Sequence, residues 1–297
     1  MPAVLNSRAK MPADLASMAK QYKISHRDIL STNPKTEKSA IQTYILHLAP
    51  ADISGVNVCP GAGNCKKICL HFAGNPVYMT NKQAARIRRT LAYAADPKRF
   101  SMILVCAILD KLNKNDGDIA VRLNGTSDIA WENVDFYVTA EFSTFCRRKF
   151  GYDLPIGQRN IFEIFNIISR DSGRSVIFYD YTKIRRNWQE CRRLGYHLTF
   201  SFDGWQNAAN LKIAADALKN GVNIAAAFMV KKGKTLPTLA EVTSIVGGDN
   251  LTFLPVCDGD LTDFRPADPM GGHIIGLRFK LPHGIAYTDA EKSAFCM

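Results

Sequence analysis

Three cysteines, Cys59, Cys65 and Cys69, fall within the stretch VCPGAGNCKKICLHFAGNP. Closely spaced thiolates on a glycine-rich loop converge on one metal centre when the glycines let the backbone curl and turn N–H groups toward sulfur. Three thiolates are one short of a closed structural zinc site. They suit a [4Fe–4S] cluster whose fourth iron is left to a substrate or cofactor, because a fully protein-ligated cluster uses four. Two other readings stand beside this one. One is a zinc site completed by His71 or Cys257; the other is three reduced thiols without a metal. Cys106, Cys146, Cys191, Cys257 and Cys296 are scattered, and each reads as a small apolar side chain. Eight cysteines in 297 residues are too sparse for a disulfide scaffold.

The loop must be held by the elements around it. Before it, TYILHLAP at 43–50 is β-branched and aromatic and stops at proline, which predicts a strand. From Thr80 the pattern turns helical, with Ala84, Ala85, Leu91 and Ala92 as an apolar stripe and Thr80 or Asn81 as the cap. Asp96-Pro97 starts a second helix with Phe100, Ile103, Leu104, Ala107 and Ile108 on its core side. IAVRLNGTSDI reads as a strand breaking into a turn, and residues 131–160 as an insert before the helix NIFEIFNIISR. Thereafter strands SVIFYDYT, HLTFSFDG and NIAAAFMV alternate with the helical KIRRNWQECRRLG, NAANLKIAADALKNG and TLAEVTSIVGG. LTFLPVCDGD and HIIGLRFK close the series as strands. This alternation of near-continuously apolar strands with helices predicts an α/β fold with a mainly parallel sheet. Six or seven strands suit a partial or full (β/α) barrel. The expectation is one domain over 1–297, with residues 1–40 as an N-terminal extension carrying short helices and a turn at Asn33-Pro34.

In such folds the loops at the carboxyl ends of strands build the active site. Polar residues recur there: Arg122, Asn124, Thr126, Ser127 and Asp128, then Tyr179, Asp180, Tyr181 and Lys183, then Ser201 and Asp203. Asp258, Asp260, Asp263 and Arg265 form a last group. Convergent polar groups beside an apolar core are what a ligand pocket requires. Each has a plainer reading too. Asp128 caps a helix, Asp203-Gly204 is a turn, and the acidic group is a salt-bridged loop rather than a cation site. The candidate catalytic residues are Asp128, Tyr181 and Lys183.

The formal net charge is +11 and the pI about 9.3. Basic residues bunch at Lys82-Arg86-Arg88-Arg89, Arg147-Arg148-Lys149, Lys183-Arg185-Arg186, Arg192-Arg193 and Lys231-Lys232-Lys234. This points to a polyanion partner such as nucleic acid, or to solvated helix faces. No apolar run reaches membrane-spanning length, and the N-terminus lacks the uninterrupted apolar core of a secretory signal. A soluble cytoplasmic protein with no membrane partner is expected.

CPGAGNCKKIC, VRLNGTSDI, FYDYTK, SFDG and PVCDGDLTDFRPADPMGGHIIGLRFK occur in this order. Together they resemble the phage gene product 88 family, whose members look like divergent relatives of radical S-adenosylmethionine (radical SAM) enzymes. The likeness runs over roughly residues 33–280. It implies a radical-SAM-like partial (β/α)6-type barrel with a [4Fe–4S] cluster on the loop after the first strand. Cys59, Cys65 and Cys69 would ligate it, leaving one iron for S-adenosylmethionine. Asn124, Ser127 and Asp128 would lie where such enzymes hold the methionyl amino group, and Ser201 and Asp203 near the ribose. With the cysteine loop at the strand rim and the basic balance, the reading is a phage-encoded radical-SAM-like enzyme in the host cytosol acting on a polar or anionic substrate, such as a nucleotide or nucleic acid. Two alternatives come from other classes. One is a non-catalytic, metal-stabilised protein binding nucleic acid or a host factor. The other is a metal-dependent hydrolase or nuclease using Asp258, Asp260 and Asp263.

Overall fold

The computed structural model describes residues 6, 8–32, 41–66, 69, 80–231, 233–247, 250–280, 288 and 296–297. The expected turn at Asn33-Pro34, the candidate ligand His71, and Lys232 of the last basic cluster lie outside the described residues. The fold is mixed α/β with a mostly parallel sheet. By contacts the chain divides into two compact units. Unit one comprises Met1–Val58, Asn81–Phe178 and Arg193–Tyr196; unit two comprises Cys59–Thr80, Tyr179–Arg192 and His197–Met297. Among the described residues, no helix is long and apolar enough to cross a membrane.

In unit one, α1 (Ala13–Gln21) and a short strand β1 (Leu30–Ser31) precede β2 (Gln42–Leu46). β1 pairs antiparallel with β2, so the N-terminal extension adds an edge strand beyond the helices that its sequence predicts. β2 runs parallel to β3 (Ile119–Arg122), which runs parallel to the first residues of β6 (Val176–Thr182). Two helices join β2 to β3 in sequence, α2 (Thr80–Ala95) and α3 (Pro97–Asn113). Asp96 caps α3, its carboxylate accepting from the N–H groups of Lys98 and Arg99, and Pro97 takes the first helical position. The predicted core positions of α3 are fully buried, and Met102, Val105, Cys106 and Leu109 are buried too. A helix enclosed on every side needs no polar face.

α2 departs from the apolar stripe its sequence predicts. Its buried positions are Arg86, Thr90 and Ala92, while Leu91 is 38% exposed. The cause is a hydrogen bond: the Ala49 N–H donates to Thr90 Oγ1 at 2.8 Å, turning the Arg86–Thr90 face toward the chain that leaves β2.

The insert contains a two-stranded antiparallel sheet of its own, β4 (Asp135–Val138) with β5 (Gly157–Asn160), on either side of α4 (Ala140–Phe150) in sequence. β4 alternates exposed and buried residues over only four positions, too few to stand out in a sequence. α5 (Ile161–Ser172) opens with a capping box between Asn160 and Glu163 and stops at Gly173, whose φ is 69°.

Unit two holds the last residues of β6, then α6 (Trp188–Arg193), β7 (Tyr196–Ser201), α7 (Ala208–Lys219) and β8 (Ile224–Phe228). β9 (Leu239–Glu241), α8 (Thr243–Val246), β10 (Phe253–Asp258) and β11 (Ile274–Arg278) follow. The order across its sheet is β7-β8-β11-β10-β9. All neighbours run parallel except β9 against β10. Trp188, Phe200, Phe202, Ala214, Ile224, Phe228 and Ile274 build the core. β11 threads between β8 and β10 at Gly276, where a Cβ would sit 2.8 Å from Val256 Cγ1 and 2.9 Å from Leu236 Cδ1. TLAEVTSIVGG is not the helix its pattern predicts. It forms β9 and one short turn of helix, because residues 239–241 pair with Phe253–Pro255 and the β-branched Val242, Thr243, Ile245 and Val246 favour neither a long helix nor its continuation.

Candidate functional site

In unit two the cysteine loop is tied to the carboxyl end of β7 by one carboxylate. Asp203 is fully buried. Its Oδ2 accepts the Asn64 N–H at 2.9 Å and Asn207 Nδ2 at 2.9 Å, and its Oδ1 accepts the Cys65 N–H at 3.0 Å. Lys183 Nζ lies 3.4 Å from Oδ1. Asn64 also donates from Nδ2 to the Asp203 carbonyl at 2.8 Å. A buried carboxylate is stable only when its lone pairs are met, and here backbone donors of the loop meet them. The loop can approach so closely because residue 63 is glycine. A Cβ there would overlap Asp203 Oδ2 and stand 2.7 Å from Asn207 Nδ2.

Asp203 is itself held from behind. Its N–H donates to Asn210 Oδ1 at 2.9 Å, and Asn207 caps α7 by accepting the Asn210 N–H at 3.1 Å. Lys183 Nζ donates to Ser201 Oγ at 2.9 Å and to the Phe202 carbonyl at 3.2 Å. Four of the residues singled out from sequence thus meet in one place: Cys65, Lys183, Ser201 and Asp203. Tyr181 is half-buried at the end of β6 in the same unit. Asn64 and Asn207 escape sequence reasoning, since an asparagine in a turn looks like turn chemistry alone.

Asn124, Ser127 and Asp128 belong to unit one. The Asn124 amide is engaged inside its own turn. Its Nδ2 donates to the Ile129 carbonyl at 2.9 Å and Tyr196 Oη at 3.2 Å. Its Oδ1 accepts from Ser127 Oγ at 2.8 Å, the Ile129 N–H at 2.9 Å and Trp131 Nε1 at 3.2 Å. The Asp128 N–H donates to the Val58 carbonyl at 2.8 Å, and its side chain is buried. This turn is a folding hub first.

The acidic group at the end of β10 is a salt-bridged loop. Arg278 grips both Asp258 oxygens at 2.8 Å and reaches Asp260 Oδ2 at 3.2 Å, and Lys280 Nζ meets Asp260 Oδ1 at 2.8 Å. The bidentate hydrogen bond from Arg278 holds the Asp258 carboxyl below its ordinary value. Burial pulls Asp260 upward, but Lys280 and Arg278 outweigh it and leave that carboxyl low as well. Arg265 is buried beside Asp268 at 3.3 Å and donates to the Gly259 and Thr262 carbonyls. Two of the three aspartates offered for a hydrolase are therefore already neutralised by cations that the sequence reading did not connect to them.

The family model for Gene product 88 matches residues 20–297, nearly the whole chain. The chain belongs to the Gene product 88 family. Comparison with curated proteins finds no match, and comparison with solved structures finds none. Within this family member the eight cysteines divide by environment, and no disulfide joins them. Cys106, Cys146, Cys191 and Cys296 are buried, whereas Cys59, Cys65, Cys69 and Cys257 are partly exposed. Burial pushes the Cys296 thiol up to about 11, and burial with a hydrogen bond to Cys106 raises Cys146 well above its ordinary range. Such thiols are inert at neutral pH. The three loop cysteines are among the four partly exposed ones. Their type suits a soft metal centre, but among the described residues no three His, Cys, Asp or Glu side chains are gathered to hold an ion. The donor chemistry of the three thiols fits a cluster.

Three outcomes follow for this Gene product 88 protein. Asp203→Asn turns an NH2 group against donors and leaves Lys183 without its charge partner. It should cost about 3 kcal/mol in urea unfolding, and a loss under 0.5 kcal/mol, well below that estimate, would show that the clamp is not needed. Asn124→Ala should cost about 2 kcal/mol by the same measurement, because it strands the Trp131 and Ile129 donors. Arg278→Gln should lower stability at neutral pH, with the deficit disappearing in acid. Asp258 has a folded pKa below its unfolded value of about 3.9, so its contribution is present above that value and lost as pH falls through the folded one. A deficit that persists at pH near 2, about two units below that reference value, would assign the effect to packing instead.

Proposed function

We propose that this protein is a phage iron–sulfur protein of the Gene product 88 family whose clamped cysteine loop is its working element. The reading rests on the Asp203 clamp. A buried carboxylate accepts two backbone hydrogen bonds from the loop, at Asn64 and Cys65, fixing it at the carboxyl ends of parallel strands. That rim is where α/β folds place their chemistry. Exposure supports the same reading, since the loop thiols are accessible while four of the others are buried. Three thiolates suit a [4Fe–4S] cluster, which when bound supplies one-electron chemistry and, with three protein ligands, an open iron.

Under this reading the parallel strands are those of a radical-SAM-like partial barrel, S-adenosylmethionine is the cofactor, and the substrate is polar or anionic. The chain's own residues would position rather than react. Lys183 and Asn207 hold the Asp203 carboxylate, and that carboxylate holds the backbone beside Cys65.

Anaerobic reconstitution followed by iron and acid-labile sulfide analysis tests the proposal. A brown protein with about four of each per chain is expected. Cys59→Ala, Cys65→Ala and Cys69→Ala should each abolish it, and Asp203→Asn should reduce it. A colourless protein, or one that takes up zinc alone, would overturn the reading. With the cluster loaded, dithionite and S-adenosylmethionine should release 5′-deoxyadenosine; a loaded protein that releases none would retain the cluster assignment and remove the radical SAM one.

A further inference from the structure

The carboxyl rim of unit two carries an apolar feature that the Asp203 clamp does not use. The chain has three tryptophans. Trp131 is fully buried and Trp188 is 5% exposed, whereas Trp205 is 36% exposed. A large apolar ring left in water forfeits the burial that most tryptophans secure. Single apolar side chains on a surface need no explanation by themselves. The place of this one does.

Trp205 follows β7 and lies in sequence between two residues of the clamp, Asp203 and Asn207. Gly204 makes the turn with φ at 91°, a left-handed conformation open to glycine. The Asn207 N–H closes it on the Gly204 carbonyl at 3.3 Å. The cysteine loop pins this turn, because the Asn64 N–H and Asn207 Nδ2 both donate to Asp203 Oδ2 at 2.9 Å. The indole stands edge-to-face with Phe202, ring centroids 5.0 Å apart at 69°. Phe202 is buried in the core of the unit. The ring is thus held from within, on a fixed backbone, while part of its surface stays open. Met229 follows β8 and Leu261 follows β10, and both are exposed. β7, β8 and β10 run the same way in one sheet, so these residues lie beyond the same edge as Trp205.

We infer that Trp205 is a stacking platform for an unpaired nucleobase, carried by a nucleotide or a single strand of nucleic acid. This names the substrate class of the site proposed above. It rests on that reading for the role of the site and not for the binding itself. Every base has a π-face that stacks on an aromatic ring whatever its hydrogen-bonding edges, and offset stacking suits the ring quadrupole. A base inside a duplex has both faces covered by its neighbours, so the base must be unpaired. An aromatic side chain of a protein partner would offer a similar face. The net charge of +11 selects instead a ring carried by an anion.

The metal-free full chain tests it, titrated at near-physiological salt with thymidine monophosphate, a short oligothymidylate and an abasic strand of the same length. Because the other two indoles are buried, quenching of the intrinsic fluorescence reads Trp205; calorimetry reads affinity in the variants. Ligands that carry bases should bind and quench. Trp205→Leu should weaken binding about tenfold or more, and Trp205→Phe, which keeps an aromatic face, should recover most of it. Thermal melting checks that both fold, and the quenching and abasic arms need no variant. Tighter binding of the oligothymidylate assigns the base to a strand, and equal binding assigns it to a free nucleotide. No binding, an abasic strand bound as tightly as the oligothymidylate, or unchanged binding by folded Trp205→Leu would overturn the inference. Iron and sulfide content separates the two readings. A chain that loads a cluster and binds no base loses this inference alone; one that binds bases and loads no cluster keeps it and loses the cluster.

Discussion

A carboxylate with no access to water must find all its hydrogen bonds inside the protein, and Asp203 does so by drawing the cysteine loop onto itself. Two of its donors are backbone N–H groups of that loop, one is the cap of α7, and the last is the Lys183 ammonium. The loop, the helix and the end of β6 thereby share one charged centre. None of the donors is free to leave singly, since removing one exposes a cost that the others do not cover. Gly63 and Asn210 serve this arrangement, the first by allowing close approach and the second by holding the aspartate backbone. The position of the Cys65 backbone depends on this clamp.

The positive balance of the chain is not one surface with one purpose. Lys183 is bound to Asp203, Arg185 stands 3.5 Å from Asp216, and Arg278 and Lys280 neutralise the acidic turn. Arg147, Arg148 and Lys149 occupy the last turn of α4, where cations complement the helix dipole. On α2, Arg86 is buried and Lys82 and Arg89 are half-buried. These cations lie near His47, which burial and its neighbours keep neutral. Net charge alone does not separate these roles; depth and partners do.

Two of the candidate clusters turn out to be supports. The Asn124 amide knits its own turn to Ile129 and Trp131, and Asp258 with Asp260 answers Arg278 across the parallel pair β10 and β11. Polar groups at strand ends face a general demand for satisfied hydrogen bonds before they serve any ligand. Strand-end position is therefore a weak guide to function, and an accessible side chain with a fixed backbone is a better one. The cysteine loop meets that description.

By itself the sequence determined the elements whose signals are local. The Asp96-Pro97 start of α3, the asparagine and glutamate that box α5, and the apolar runs of β3, β6, β7, β8 and β11 need no knowledge of distant residues. The ordered motifs likewise pointed to the family that the chain belongs to. Tertiary structure decided everything that depends on partners far along the chain. β9 is a strand because β10 is there to pair with it, α2 buries an arginine because Ala49 seeks the Thr90 hydroxyl, and Asp203 meets Cys65 across 138 positions. A residue's type states which bonds it can make. Only the folded chain states which groups come within reach to make them.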